Sequence, residues 1–275
     1  MAIVGKGNET YLYITGLNTT EEISLGEGKV LIPAQGSVPL DIVSKMVKND
    51  VELAIAILCA ERISSQLKIT SQNSKELAVL AWNAQWDLVL LNAVFNCSAM
   101  WNLQSTHSIN QINLDSYLNI THYQMNNLLS DVYKITSYDA IWLGKYFSNA
   151  QMLIERDAFM TSVHSLASYK WHTLPRVQLA VLWAGIESLF GINNELSFRI
   201  SLYTSKLLGE GDKEQEKSIF AEVKTLYTAR SSAVHGSKVK GDINSLVKKS
   251  ADILNKLIRK CCENNSMPDI GSLIF

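Results

Sequence analysis

Apolar residues return every three or four positions over most of this chain, and from Val38 onward that period predicts helices. Ahead of it, Tyr11–Ile14, Glu22–Leu25 and Lys29–Ile32 are short apolar stretches that predict strands. Gly26-Glu27-Gly28 predicts a tight turn joining the last two into a small hairpin, and Pro33 and Pro39 close the section. Three strands this short predict a flap or an edge, not a core. Asp50 stands where it can cap a helix over Val51–Leu67, and Ser74 where it can start one over Lys75–Asn96. In the second, Leu77, Leu80, Ala81, Ala84, Leu88 and Leu91 share the inward side, and Trp82 and Trp86 lie one turn apart. The tryptophan pair reads as core packing, because no convergent polar groups accompany it as a ring ligand would require.

Trp101–Ser137 has weak periodicity and many Asn, Ser and Thr residues. It predicts a long irregular connection, with at most a short helix near Tyr123–Val132. Its two histidines, His107 and His122, lack a spaced partner and read as surface residues. Helices are predicted again over Asp139–Met160 and Thr161–Trp171; His164 and His172 have no metal-helix framing. Pro175 suits the first position of Arg176–Phe190, a run apolar on nearly every side and so expected at the centre of the core. Glu187 interrupts it and must be paired or near an opening, since a lone buried carboxylate costs several kcal/mol. Gly191 ends that helix, Gly209 is the expected stop of Glu195–Leu208, and Asp242 caps a long amphipathic helix after it. The tail beyond Asn264 reads as irregular. The expected fold is mainly α: an N-terminal region, 1–137, with a small β-hairpin followed by helices, then an up-and-down helical bundle, 138–275.

The net charge of −1 argues against coating nucleic acid by bulk electrostatics. The charge is uneven, however. Residues 195–263 carry 13 Lys and Arg against 9 Asp and Glu, while 1–194 carry 12 against 16. The basic bias fits a local phosphate-contacting patch or an ordinary solvated face. The four cysteines form no C-x-x-C pair, so neither a zinc site nor a disulfide framework is suggested, and the expected setting is a reducing, cytoplasmic one. The densest apolar runs, around Ile55 and Val181, are broken by Glu61 and Glu187 and fall short of a membrane span. No Gly-rich phosphate loop or βαβ pattern is present, which sets aside a nucleotide-binding α/β enzyme and leaves no cofactor implied.

The candidate chemistry gathers in Glu216–Gly236. Its first part reads as an amphipathic helix, and it ends in Arg230, four small or apolar residues, His235 and Gly236. Gly236 suits a position of positive φ, which puts His235 at or just beyond a helix end. On one ideal helix Arg230 and His235 lie about 140° apart, so they converge only if the helix breaks between them. A basic loop, Lys238-Val239-Lys240-Gly241, follows.

On Arg230, the Ser231-Ser232-Ala233-Val234 spacer, His235 and the earlier Glu187, the stretch Arg176–Glu263 resembles the HEPN superfamily of helical-bundle ribonucleases. The ending LYTARSSAVHG is most similar to its Apea-like branch. Many members place Asn, Asp or His directly after the arginine, where this chain has Ser231. The resemblance implies metal-independent RNA cleavage through the 2′-hydroxyl, with His235 as base or acid, Arg230 clamping the phosphate and Glu187 orienting one of them. It places Ser231, Lys238 and Lys240 against the RNA. One histidine does not readily perform both proton transfers, so it also implies a homodimer that brings two such sets together. By the same resemblance the setting is bacterial phage defence or a toxin–antitoxin pair, with an antitoxin or other defence protein as partner and no membrane. Two readings stay beside it: a non-catalytic helical module binding RNA or a protein through the same basic edge, and a structural bundle in which Arg230 and Glu187 form an internal ion pair.

Overall fold

The computed structural model describes residues 3–126 and 128–274. The chain is mainly helical and divides into two units, Met1–Leu88 with Cys97–Ser148 and Val89–Asn96 with Asn149–Phe275.

The first unit is built on β1 (Glu9–Thr15), β2 (Leu17–Asn18), β3 (Ile23–Ser24), β4 (Lys29–Pro33), α1 (Leu40–Met46), α2 (Asp50–Ala60), β5 (Ile63–Thr70), the first part of α3 (Ser74–Phe95), β6 (Met100–Ser105), β7 (Leu118–Ile120), β8 (Tyr133–Lys134) and the start of α4 (Ser137–Leu153). Six strands form one sheet in the order β3-β4-β5-β1-β6-β7, while β2 and β8 pair separately. The expected hairpin exists as β3–β4, with Ile23 opposite Leu31. It is the edge of a core sheet, however, and not a flap. Tyr11–Ile14 lies in β1 and is buried on both faces, pairing antiparallel with β5 on one side and β6 on the other.

Paired residues share a sheet face, and that fixes what each face meets. Tyr11, Tyr13, Leu103 and Leu118 join Ile42, Val43, Ala56 and Cys59 in one cluster under α1 and α2. On the opposite face lie Leu12, Ile14, Leu31, Leu67 and Ile69, all fully buried. Each such side chain contributes about 1.5–3 kcal/mol through removal from water. Lys29 shares that second face and reaches Asp87 of α3 at 2.8 Å.

Several expectations about this unit change. The helix over Val51–Leu67 stops at Ala60, capped at its start by Asn49 and not Asp50, and the chain turns back as β5. The connection Trp101–Ser137 contains β6 and β7. Its short helix near Tyr123–Val132 is not formed by the described residues there, and Asn127 lies outside them. His107 and His122 are half-buried. Trp82 and Trp86 are 46% and 37% exposed, so they are not core. The apolar run that resembles a membrane span is neither of those around Ile55 and Val181. By length and composition it is α3, with a mean hydropathy of 1.3 over its best window, half of that window being buried within the protein.

In the second unit, the end of α3 and of α4 is joined by α5 (Asp157–Ser168), a 3₁₀ turn (Tyr169–Trp171), α6 (Pro175–Phe190), α7 (Leu196–Gly209), α8 (Lys213–Val234), α9 (Ile243–Asn264) and the short α10 (Ile270–Ile274). Helix α6 packs on α5, α8 and α9, and α7 packs on α8. Pro175 opens α6 and Gly191 closes it, as the sequence predicts. Gly185 lets α6 approach its neighbours: a Cβ there would sit 2.8 Å from Ser165 Cβ and 2.9 Å from Leu254 Cδ2. Trp183 is fully buried and its indole N–H donates to Ser250 Oγ at 3.1 Å. Asp242 caps α9 through Asn244 and Ser245, and α9 turns one apolar stripe inward. The stop of α7 is Glu210 in the left-handed conformation, with Gly209 still helical, and the tail forms α10 where irregular chain was expected.

Candidate functional site

Helix α8 carries the candidate residues. Asp212 caps its start, accepting from Glu214 and Gln215 N–H, and the helix then runs without interruption to Val234. His235 is the C-cap, its N–H still donating to Ser231 O at 3.0 Å, and Gly236 takes φ +73° to turn the chain away. The helix breaks after His235, at Gly236, and the break between Arg230 and His235 that Gly236 was expected to support is not there. The two side chains leave α8 about 140° apart, separated by roughly 7.5 Å along its axis. They do not converge on one helix of one chain.

Arg230 points inward. Its Nη2 lies 3.0 Å from Glu187 Oε1 and donates to Oε2 at 3.1 Å, with the two side chains 21% and 22% exposed. The guanidinium also lies over the Tyr227 ring, 5.7 Å from its centroid, and that ring meets Trp183 edge-on at 5.3 Å. Glu187, Arg230, Tyr227 and Trp183 thus form a continuous strip from α8 to α6 and on to Ser250 of α9. Burial pushes the Glu187 carboxyl above its ordinary value, and Arg230 pulls it partly back. The Tyr227 phenol is raised by burial first and by Glu187 second, with Arg230 opposing. Two polar atoms of the pair remain unsatisfied: Arg230 Nε, and Glu187 Oε1, which is close to Nη2 but off its N–H direction. A buried polar atom without a partner is uncommon and marks hydrogen-bonding capacity left open.

His235 stands on the opposite side of the helix and is exposed. Beside its backbone sits Arg176, from the first turn of α6. Its Nη1 donates to Ser232 O and Ala233 O at 3.4 and 3.3 Å, and its Nη2 to Ser237 O at 2.8 Å. This guanidinium offsets the negative carbonyl end of α8, which by itself repels anions. Sequence reading missed it, because Arg176 lies 56 to 61 residues from the carbonyls it meets and only the fold brings them together. Ser231 is half-buried, while Lys238 and Lys240 are exposed in the loop before Asp242.

Chemically, this end of α8 offers one imidazole open to solvent, a hydrogen-bonded guanidinium behind it and two exposed ammonium groups. That set suits an anionic, phosphate-like ligand. Among the described residues, no group of three or more His, Cys, Asp or Glu side chains is placed to hold a metal ion. The four cysteines are buried thiols, and burial pushes Cys59 up to about 11 and Cys261 up to about 12. No family model, curated protein or solved structure matches this chain.

Proposed function

We propose that the chain is a metal-independent endoribonuclease of the cytoplasm, acting as a homodimer whose site is completed by two copies of the α8 end. The observation that carries the reading is the exposed imidazole of His235 at a helix end that Arg176, Lys238 and Lys240 make basic. His235 takes the proton from the 2′-hydroxyl or delivers one to the leaving 5′-oxygen, and the partner's copy performs the other transfer. Arg230, held by Glu187, stabilises the charge that develops on the phosphate. A role in phage defence or as the toxin of a toxin–antitoxin pair follows from the sequence resemblance. The test is incubation of purified protein with single-stranded RNA in EDTA. Cleavage by wild type and its loss in His235→Ala support the reading; no cleavage, or equal cleavage by both, ends it.

One observation favours a second reading, a non-catalytic RNA-binding module. The Arg230 guanidinium is committed to Glu187, on the side of α8 away from His235. In that case RNA binds without cleavage, binding survives His235→Ala, and log affinity falls linearly with log salt as Lys238 and Lys240 displace counterions.

A further inference from the structure

The nuclease reading uses only the last two turns of α8, yet the face that ends in His235 runs back along most of the helix. Phe220, Lys224, Tyr227, Ser231 and His235 follow one another at spacings of four, three, four and four. Residues so spaced lie on one side of an α-helix, within about 80° of arc. Helix α8 is unbroken from Phe220 to Val234 and His235 caps it, so the stripe is continuous and about 22 Å long.

Its members are not those of an ordinary solvated face. Lys224 and His235 are exposed, and Phe220, Tyr227 and Ser231 are half-buried. Lys224 Nζ stands over the Phe220 ring, 6.0 Å from its centroid. Phe198 of α7 meets the same ring edge-on, with 5.9 Å between centroids, and is 54% exposed. A phenylalanine that open, with a second ring behind it, forms an apolar shelf on the surface.

Charge decides what such a shelf takes. Between Lys217 and His235 the only acidic residue is Glu222. It lies on the other side of α8, where it meets Lys249 of α9 at 3.4 Å. Glu214 and Glu216, at the start of the helix, are each 2.6 Å from a lysine, Lys217 and Lys206. Lys224 pairs with no carboxylate among the described residues. A cation beside open rings, with no acid on the same face, suits a polyanion that carries flat apolar groups. Single-stranded nucleic acid has that chemistry, with regularly spaced phosphates and bases whose π-faces are free to stack. A duplex keeps those faces in its own stack, and an acidic peptide lacks them.

We propose that unpaired RNA lies along this stripe, with bases stacked at Phe198 and Phe220, its backbone passing Lys224 and a phosphate reaching His235. The inference rests on the RNA reading above and extends it to the residues that select the substrate. They stand about 22 Å from the imidazole, room for roughly four to six nucleotides. A strand held at the shelf therefore presents to His235 a phosphate that many nucleotides away.

The test uses the full chain and a fluorescein-labelled twelve-nucleotide RNA with 2′-O-methyl groups, which cannot be cleaved through the 2′-hydroxyl, followed by fluorescence anisotropy. The expected result is saturable binding, weakened at least fivefold by Phe198→Ala and largely restored by Phe198→Trp. Lys224→Gln also weakens it and lowers the slope of log affinity against log salt by about 0.7. Both side chains are exposed, so neither change disturbs the core. The same strand annealed to its complement binds at least tenfold more weakly. The inference is overturned if there is no saturable binding, if both variants bind as wild type does, or if the duplex binds as tightly as the single strand. Polyglutamate that competes as well as RNA also overturns it, because the face then reads charge alone. The two readings fail separately. Binding that depends on Phe198, without cleavage of unmodified RNA, ends the nuclease and leaves the stripe. Cleavage that is lost in His235→Ala, with binding indifferent to Phe198 and Lys224, ends the stripe and leaves the nuclease.

Discussion

Lys29–Asp87 in the sheet unit and Arg230–Glu187 in the helical unit are both ion pairs made between distant elements, and they differ in how far water reaches them. The first has side chains 6% and 3% exposed, the second 21% and 22%. Lys29 presents a compact ammonium that also lies 3.9 Å from Glu27, and the pair is sealed between the sheet and α3. Arg230 presents a planar fork, spends one arm on Glu187, and leaves Nε without a partner. The difference teaches that water screens the second pair more than the first, although the unpartnered Arg230 Nε is itself buried.

The comparison breaks most readily at Lys29. Lys29→Met leaves Asp87 buried beside an apolar chain, and a loss of about 3–5 kcal/mol in unfolding free energy is expected from urea denaturation. Arg230→Ala opens a pair that water already reaches, so its expected cost is smaller, about 1.5–3 kcal/mol. Equal losses would show that the two pairs are fastenings of one kind.

The pH dependence of that second variant sharpens the contrast. Burial raises the Glu187 carboxyl, so its contribution to stability is present below the ordinary value of 4.5 and declines as pH rises through the folded value. Without Arg230 the folded value rises further. The cost of Arg230→Ala is therefore largest near neutral pH and shrinks below about pH 4.5, as urea midpoints at pH 4 and pH 7 would reveal. A cost that does not change over that range contradicts the electrostatic account.

Smaller effects follow at the end of α8. Arg176→Ala strips the cap from three carbonyls and is expected to cost about 1 kcal/mol in thermal or urea unfolding. His235→Ala removes an exposed side chain and should change stability by no more than about 0.5 kcal/mol, while abolishing the RNA cleavage proposed for it. A large stability loss there would place His235 in the packing and not in the chemistry.

Much of the helical unit was legible in the chain itself. Pro175, Gly191, Asp242 and Gly236 act through their own backbones or side chains on the next few residues, so their effects are local and readable. Glu187 was legible too, because a carboxylate within an apolar helix needs a partner. The sheet was harder. Ile63–Thr70 continues the apolar run of α2, and only pairing with β1 and β4, far away in sequence, makes it a strand. Met100–Ser105 alternates apolar and polar residues only over Trp101–Gln104, too short a stretch to be read as a strand by itself, and is held by β1. Trp82 and Trp86 share a helical spacing with core residues, and spacing alone does not say which side of a helix will be covered.

By itself, then, the order of residues determined the mainly helical character, both ends of α6, the start of α9 and the place where charge and imidazole gather, since these depend on interactions within a turn or two. Tertiary structure alone decided the six-stranded sheet, the partner of Arg230 and the capping of α8 by Arg176. Each of those depends on groups tens of residues apart, whose meeting is set by the burial of many side chains at once and not by any neighbouring residue.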